Sequence, residues 1–108
     1  MGYLTKYEIE IIPPPKVNKI EPDHPVFKEN TSYGSLKYLL KEEQPLKWYS
    51  REEEMKRISE KYPDFLFQID GWGEEAGDIW REYYQAGRLQ REKAVITFGK
   101  FDPNKLKI

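Results

Sequence analysis

Three carboxylates, Glu74, Glu75 and Asp78, follow one another in the glycine-rich run Gly71-Trp72-Gly73-Glu74-Glu75-Ala76-Gly77-Asp78. Paired carboxylates do general acid–base work when their surroundings split their pKa values, and the same oxygens bind hard cations such as Mg²⁺ or Ca²⁺. The spacing completes neither kind of site. An EF-hand loop places oxygen ligands at alternate positions and closes on a distal Glu, and Trp72 occupies the third place counted from Asp70. A phosphate-cradling loop needs a helix N-terminus behind its glycines and usually a lysine, whereas Glu74 and Glu75 repel phosphate. The single histidine, His24, lies in Asp23-His24-Pro25, and cysteine is absent. That excludes disulfides, thiol catalysis and a His/Cys metal set, and His24 is expected to be a solvated loop residue. The residues therefore nominate no catalytic group, no metal ligand and no cofactor. The plain alternative for the three acids is a solvated turn that keeps a sheet edge soluble.

Aromatic residues crowd the same region. Residues 62–84 hold seven of the sixteen aromatics and six acids against Arg81 alone, a local charge of −5 in a chain of net −1. Trp72, between two glycines, either folds back on the core or serves as an interaction anchor, a role for which Trp and Tyr are enriched. Trp80 and Tyr84 share one strand face, and Ile79 and Tyr83 the other. One face must be core, and the other is free to meet a partner. The expected partner-binding set is Trp72, Glu74, Glu75, Asp78, Trp80 and Tyr84. Residues 88–108 have the opposite polarity, with six bases against two acids and with Phe98 and Phe101 interleaved. Bases and aromatics on a sheet suit single-stranded nucleic acid. No RNP-like motif accompanies them, and a cross-strand match of Glu82 with Arg88 or Arg91 explains part of the polarity without a ligand.

The elements that must position these groups follow from hydrophobic period. Tyr7, Ile9 and Ile11 alternate with Glu8 and Glu10, as in a strand with one buried face. Pro13, Pro14 and Pro15 end it, and an irregular, proline-rich loop is expected over residues 13–34, partly pinned by Val17, Ile20 and Phe27. Residues 35–43 fit a short helix or a strand, and the strand is favoured because Gly34 precedes it and Pro45 follows. A helix is expected over 51–62. Ser50 and Glu53 form a capping box, acids fill the first turn, Met55, Ile58, Ser59 and Tyr62 share one face, and Pro63 ends it. Trp48 and Tyr49 are expected to staple its start. Phe65, Phe67 and Ile69 alternate in a further strand. The Ala86-Gly87 break and the β-branched run 94–98 favour a hairpin after it. The expected fold class is α+β, a single antiparallel sheet of about 4–5 strands covered on one face by one main helix.

Composition limits the function classes. A chain of 108 residues fits a single domain with one modest core. With 18 bases against 19 acids it is neither a polybasic nucleic-acid binder nor a uniformly acidic mimic of DNA. No apolar run reaches the roughly 20 residues that span a bilayer, and no signal-peptide core opens the chain, so a cytoplasmic setting and no membrane partner are expected.

The run KWYSREEEMKRISEKYPDFLFQIDGWGEEAGDIWREYYQAGRLQ resembles small uncharacterised proteins of phages, plasmids and other bacterial mobile elements. The residues that carry the resemblance are Trp48, Tyr49, Ser59, Lys61, Tyr62, Pro63, Gly71, Gly73, Glu74, Glu75, Asp78, Ile79, Trp80, Tyr83, Gly87 and Arg88. It covers about residues 47–102 and leaves the proline-rich loop outside. It implies a genomic habitat rather than a reaction, and by analogy a ferredoxin-like sheet. Taken together, these expectations describe a small non-enzymatic interaction protein that binds a host or phage protein through an acidic-aromatic hairpin. Inhibition of a host defence system is one use. A single-stranded nucleic-acid or nucleotide binder and a carboxylate- or metal-dependent enzyme are the alternatives, and self-association through an exposed sheet edge stays open.

Overall fold

Strand β1, Lys6–Ile12, forms where the alternation of Tyr7, Ile9 and Ile11 requires it. In this computed structural model, which describes residues 4–108, β1 pairs antiparallel with β4, Leu66–Trp72, with Ile9 opposite Ile69. β4 pairs with β5, Ile79–Gln85, and β5 with β6, Arg88–Lys93. The fold is α+β: a four-stranded antiparallel sheet in the order β1-β4-β5-β6 with one main helix, α2, Arg51–Lys61. The strands follow chain order and every neighbouring pair is antiparallel. This departs from a ferredoxin-like arrangement, which needs two helical crossovers.

The expected irregular stretch 13–34 carries local structure. A 3-10 turn, Pro25–Lys28, leads into a small second sheet of β2, Asn30–Thr31, and β3, Gly34–Ser35. Glu29 fastens this stretch to the end of α2, accepting hydrogen bonds from Lys61 Nζ (2.8 Å) and the Tyr62 hydroxyl (2.9 Å). His24 corrects its expected place as a solvated residue. It is half-buried, packs on the rings of Tyr62 and Phe65, and its Nδ1 accepts the Val26 N–H.

Residues 35–43 also differ from expectation, forming the short helix α1, Leu36–Leu39. Ser35 decides this: its hydroxyl accepts the Tyr38 N–H as an N-cap, which favours a helix start over a strand. The expected capping box on α2 does not form. Ser50 sits at φ −88°, ψ 12° rather than extended, and its side chain caps nothing. Two of the first-turn acids bind elsewhere: Glu52 pairs with Lys56 and Arg91, and Glu54 accepts from the Ser32 N–H and from Trp48 Nε1 (2.6 Å). Trp48 is buried, but Tyr49 is exposed and staples nothing.

The run 94–98 is not a strand. β6 occupies 88–93 instead, because its partner β5 begins at Ile79: after the Ala94 N–H reaches the Ile79 carbonyl (2.9 Å), no backbone lies alongside. The β5–β6 hairpin turns on Ala86 and Gly87, at φ 51° and 79°, the paired positive values of a two-residue turn. The Gly87 N–H donates to Ser59 Oγ (3.0 Å), which seats the hairpin on α2.

The core lies between the sheet and α2. Phe67, Ile69 and Tyr84 from the strands meet Met55 and Ile58 from the helix, and Val26, Leu36, Leu39 and Trp48 close the cluster. Gly71 belongs to this inner face, where Trp80 opposes it and covers its Cα. A Cβ at Gly71 would overlap the Trp80 ring. Gly71→Val is therefore expected to displace Trp80 and destabilise the fold by about 1–3 kcal/mol, as overpacking does. Urea denaturation checks it, and an unchanged midpoint would show that the ring has room to move.

Candidate partner-binding surface

The strand pleat sorts the hairpin residues between two faces. The register Gly71↔Trp80, Ile69↔Glu82 and Phe67↔Tyr84 puts Trp80, Glu82 and Tyr84 toward the helix. The register Trp72↔Ile79, Asp70↔Arg81 and Gln68↔Tyr83 puts the alternate set on the outer face. No element covers that outer face among the described residues.

Of the six expected contact residues, Tyr84 is fully buried and cannot touch a partner. Trp80 is half-buried on the helix side, with its ring against Tyr7 and under the Arg51 guanidinium, 4.6 Å from its centre. Trp72 is not a free turn tip. It ends β4 between Lys6 of β1 and Ile79 of β5, half-exposed on the outer face. Glu74, Glu75 and Asp78 lie together on the turn 73–78. The Gly73 N–H donates to the Asp78 carbonyl (2.8 Å), and Gly77 at φ 83° permits the Ile79 N–H to close on the Gly77 carbonyl. Glu74 Oε1 accepts the Leu4 N–H (3.0 Å), tying the turn to the backbone just before β1.

Tyr83 and Ile79, assigned by sequence only to one of two possible faces, join Trp72 on the outer surface. Arg81 organises the middle of that surface. Its guanidinium grips Asp70 through two hydrogen bonds (2.6 and 3.0 Å) and reaches over the Tyr83 ring, 6.0 Å from the centre. A shallow groove of about 340 Å³ follows, lined by Trp72, Ile79, Arg81, Tyr83 and Glu92. Glu8 and Glu92 on or beside this face repel a phosphate backbone, while Asp70 is paired with Arg81.

The strongest polar cluster lies beneath, around Glu82, which is fully buried. Arg51 grips it with two hydrogen bonds (2.7 and 3.0 Å), Arg91 adds one at 2.7 Å, and the Tyr84 hydroxyl donates at 2.8 Å. Arg51 also donates to the Tyr7 hydroxyl (2.9 Å). Burial alone would raise the Glu82 pKa, but the hydrogen bonds and charge of Arg51, with those of Tyr84 and Arg91, hold it below the usual carboxylate range. Burial and the Glu82 charge push the Tyr84 hydroxyl up. The carboxylate is thus fixed as an anion with its oxygens already engaged, a poor general base. The Glu82–Arg91 pair is one of the two cross-strand matches expected from sequence, and Arg88 lies opposite Gln85 instead. The local −5 already counts Arg81, which pairs with Asp70, and Arg51 and Arg91 from outside the stretch offset it further at Glu82.

Among the described residues, no three His, Cys, Asp or Glu side chains converge to hold a metal ion, and no helix is long and apolar enough to cross a membrane. Comparison with protein-family models, curated proteins and solved structures gives no match to this chain.

Proposed function

We propose that the chain is a small, non-enzymatic protein-binding module whose contact surface is the outer face of the β4–β5 hairpin with its acidic turn. The observation that carries this reading is the uncovered strip of Trp72, Ile79 and Tyr83 beside Glu74, Glu75 and Asp78. An aromatic-aliphatic centre with a charged rim is the usual anatomy of a protein interface. The fit is to a partner that offers an apolar ridge flanked by lysines or arginines. The resemblance of residues 47–102 to proteins of phages and mobile elements makes a host or phage protein the partner class, in the cytoplasm, and inhibition of a defence system the use.

The test compares capture of a host-lysate protein by the wild type, by Trp72→Ala and by Tyr83→Ala. Each substitution is expected to weaken capture by roughly 30-fold, the effect of losing an interface anchor of about 2 kcal/mol. Because Tyr83 lies on the outer face, its melting temperature should stay near that of the wild type. Equal capture by both variants would remove the outer face from consideration.

A further inference from the structure

The sheet order leaves β1 at one edge and β6 at the other, and among the described residues 95–101 form an unpaired segment after β6. At Thr5 both N–H and C=O point away from β4, to Leu46 (3.0 and 2.8 Å). Backbone groups alternate along a strand, so Tyr7, Ile9 and Ile11 also direct N–H and C=O to that outer side. Among the described residues none of these groups has a backbone partner there. Two grooves run end to end along this edge. The first, about 440 Å³ beside the N-terminal half of β1, is lined by Glu8, Glu10, Glu42 and Glu43 against Lys6 and Lys41. The second, about 390 Å³ beside the C-terminal half, is lined by Ile9, Ile11, Pro13, Ile20, Phe27 and Leu40.

Residues 95–101 are exposed throughout, including Val95, Ile96, Phe98 and Phe101. Phe98 is 91 % exposed, an unusual setting for a phenylalanine in a β-prone run. The Cα radius of gyration, 17.2 Å, exceeds the about 13 Å of a compact chain this long, as an outlying segment requires.

We infer that residues 95–101 of one copy add as an antiparallel fifth strand to the β1 edge of a second copy. Orientation and charge agree. In the antiparallel sense Ile96 and Phe98 fall beside Ile11 and Ile9 at the apolar groove, and Lys100, on the same strand face, falls beside Tyr7 at the end where Glu42 and Glu43 line the other groove. Seven extended residues span about 23 Å, enough to cover the about 17 Å of residues 7–11. The segment's own β1 edge lies on the far side of the sheet from β6, which favours exchange between copies. Reciprocal exchange closes a two-fold dimer that leaves neither β1 edge open. This surface is separate from the hairpin face proposed to bind a partner.

Sedimentation equilibrium of the full chain tests the inference. The wild type is expected to dimerise at tens of micromolar, and Phe98→Asp to weaken dimerisation by at least about tenfold. The melting temperature of dilute Phe98→Asp should match that of the dilute wild type, since Phe98 touches no core residue. The pair Glu42→Lys with Glu43→Lys should weaken assembly, and adding Lys100→Glu should restore part of it. Amide exchange at Tyr7, Ile9 and Ile11 should slow as concentration rises. Trp72→Ala should leave assembly unchanged, which separates this surface from the hairpin. A monomer at every concentration, a dimer indifferent to Phe98→Asp, or a monomer that captures a labelled single-stranded oligonucleotide through Phe98 would each overturn it.

Discussion

Glu82→Ala is expected to lower stability by about 3–5 kcal/mol, because it strands a buried guanidinium. Arg51 is only 16 % exposed at its side chain, and Glu82 supplies two of its hydrogen bonds. For a domain of this size the loss corresponds to roughly 12–25 °C in melting temperature. Glu82→Gln should cost nearly as much, since it keeps the shape and removes the charge. The Tyr84 hydroxyl would lose its acceptor as well. The pH dependence has a definite direction. The folded-state pKa of Glu82 lies below its unfolded value, so its stabilisation is complete above about pH 5 and is lost as pH falls through the depressed value. The gap between wild type and Glu82→Gln should accordingly narrow in acid. Thermal denaturation at neutral and acidic pH measures both effects. A loss under about 1 kcal/mol at pH 7 would mean that Arg51 swings out to water and the network holds nothing together.

Trp48→Ala is expected to cost a similar amount, about 3–5 kcal/mol, by emptying a site that is 2 % exposed. The ring packs edge-on against Tyr7 at 5.6 Å and donates to Glu54, so it joins β1 to the first turn of α2. Trp48→Phe restores most of the volume without the N–H. It should recover more than half of the loss, leaving about 1–2 kcal/mol for the hydrogen bond to a carboxylate. Glu54 keeps the Ser32 N–H and hydroxyl in either variant. Denaturant titrations of the three proteins decide the matter. Equal losses for alanine and phenylalanine would assign the effect to the hydrogen bond rather than to packing.

Periodicity made β1, α2 and β4 legible, because in each the apolar spacing matches a face that the fold buries. Ser35 shows where that reasoning stops: Leu36, Leu39 and Leu40 suit a helix as well as Leu36, Tyr38 and Leu40 suit a strand, and a single hydroxyl at the cap decides between them. The run 94–98 shows a different limit. Its β-branched residues favour extended backbone, but a strand needs a neighbour, and β5 begins only at Ile79, opposite the end of β6. The hairpin site was half legible. Glu74, Glu75 and Asp78 share one turn and Trp72 ends the strand before it, whereas Tyr84 lies in the core and Tyr83 takes the outer position. The signal that distinguishes these faces was present. Glu82 lies between Trp80 and Tyr84 in the same strand phase, and a helix-side cation, Arg51, was needed to make that phase the buried one. Two residues 31 positions apart cannot be matched by local pattern.

The sheet's connectivity has a consequence for how the molecule assembles. β4, β5 and β6 are linked by short turns, so their ladders close small loops. β1 reaches its place only when Ile9 meets Ile69, sixty positions away, after the intervening segment has been drawn in. Closing so long a loop carries the larger entropic penalty. The three-strand meander can therefore form early with α2 against it, while β1 docks last and detaches first. The least secure strand is thus the one that carries Tyr7 into the Arg51 cluster, and its release would open the buried charges to water before the hairpins come apart.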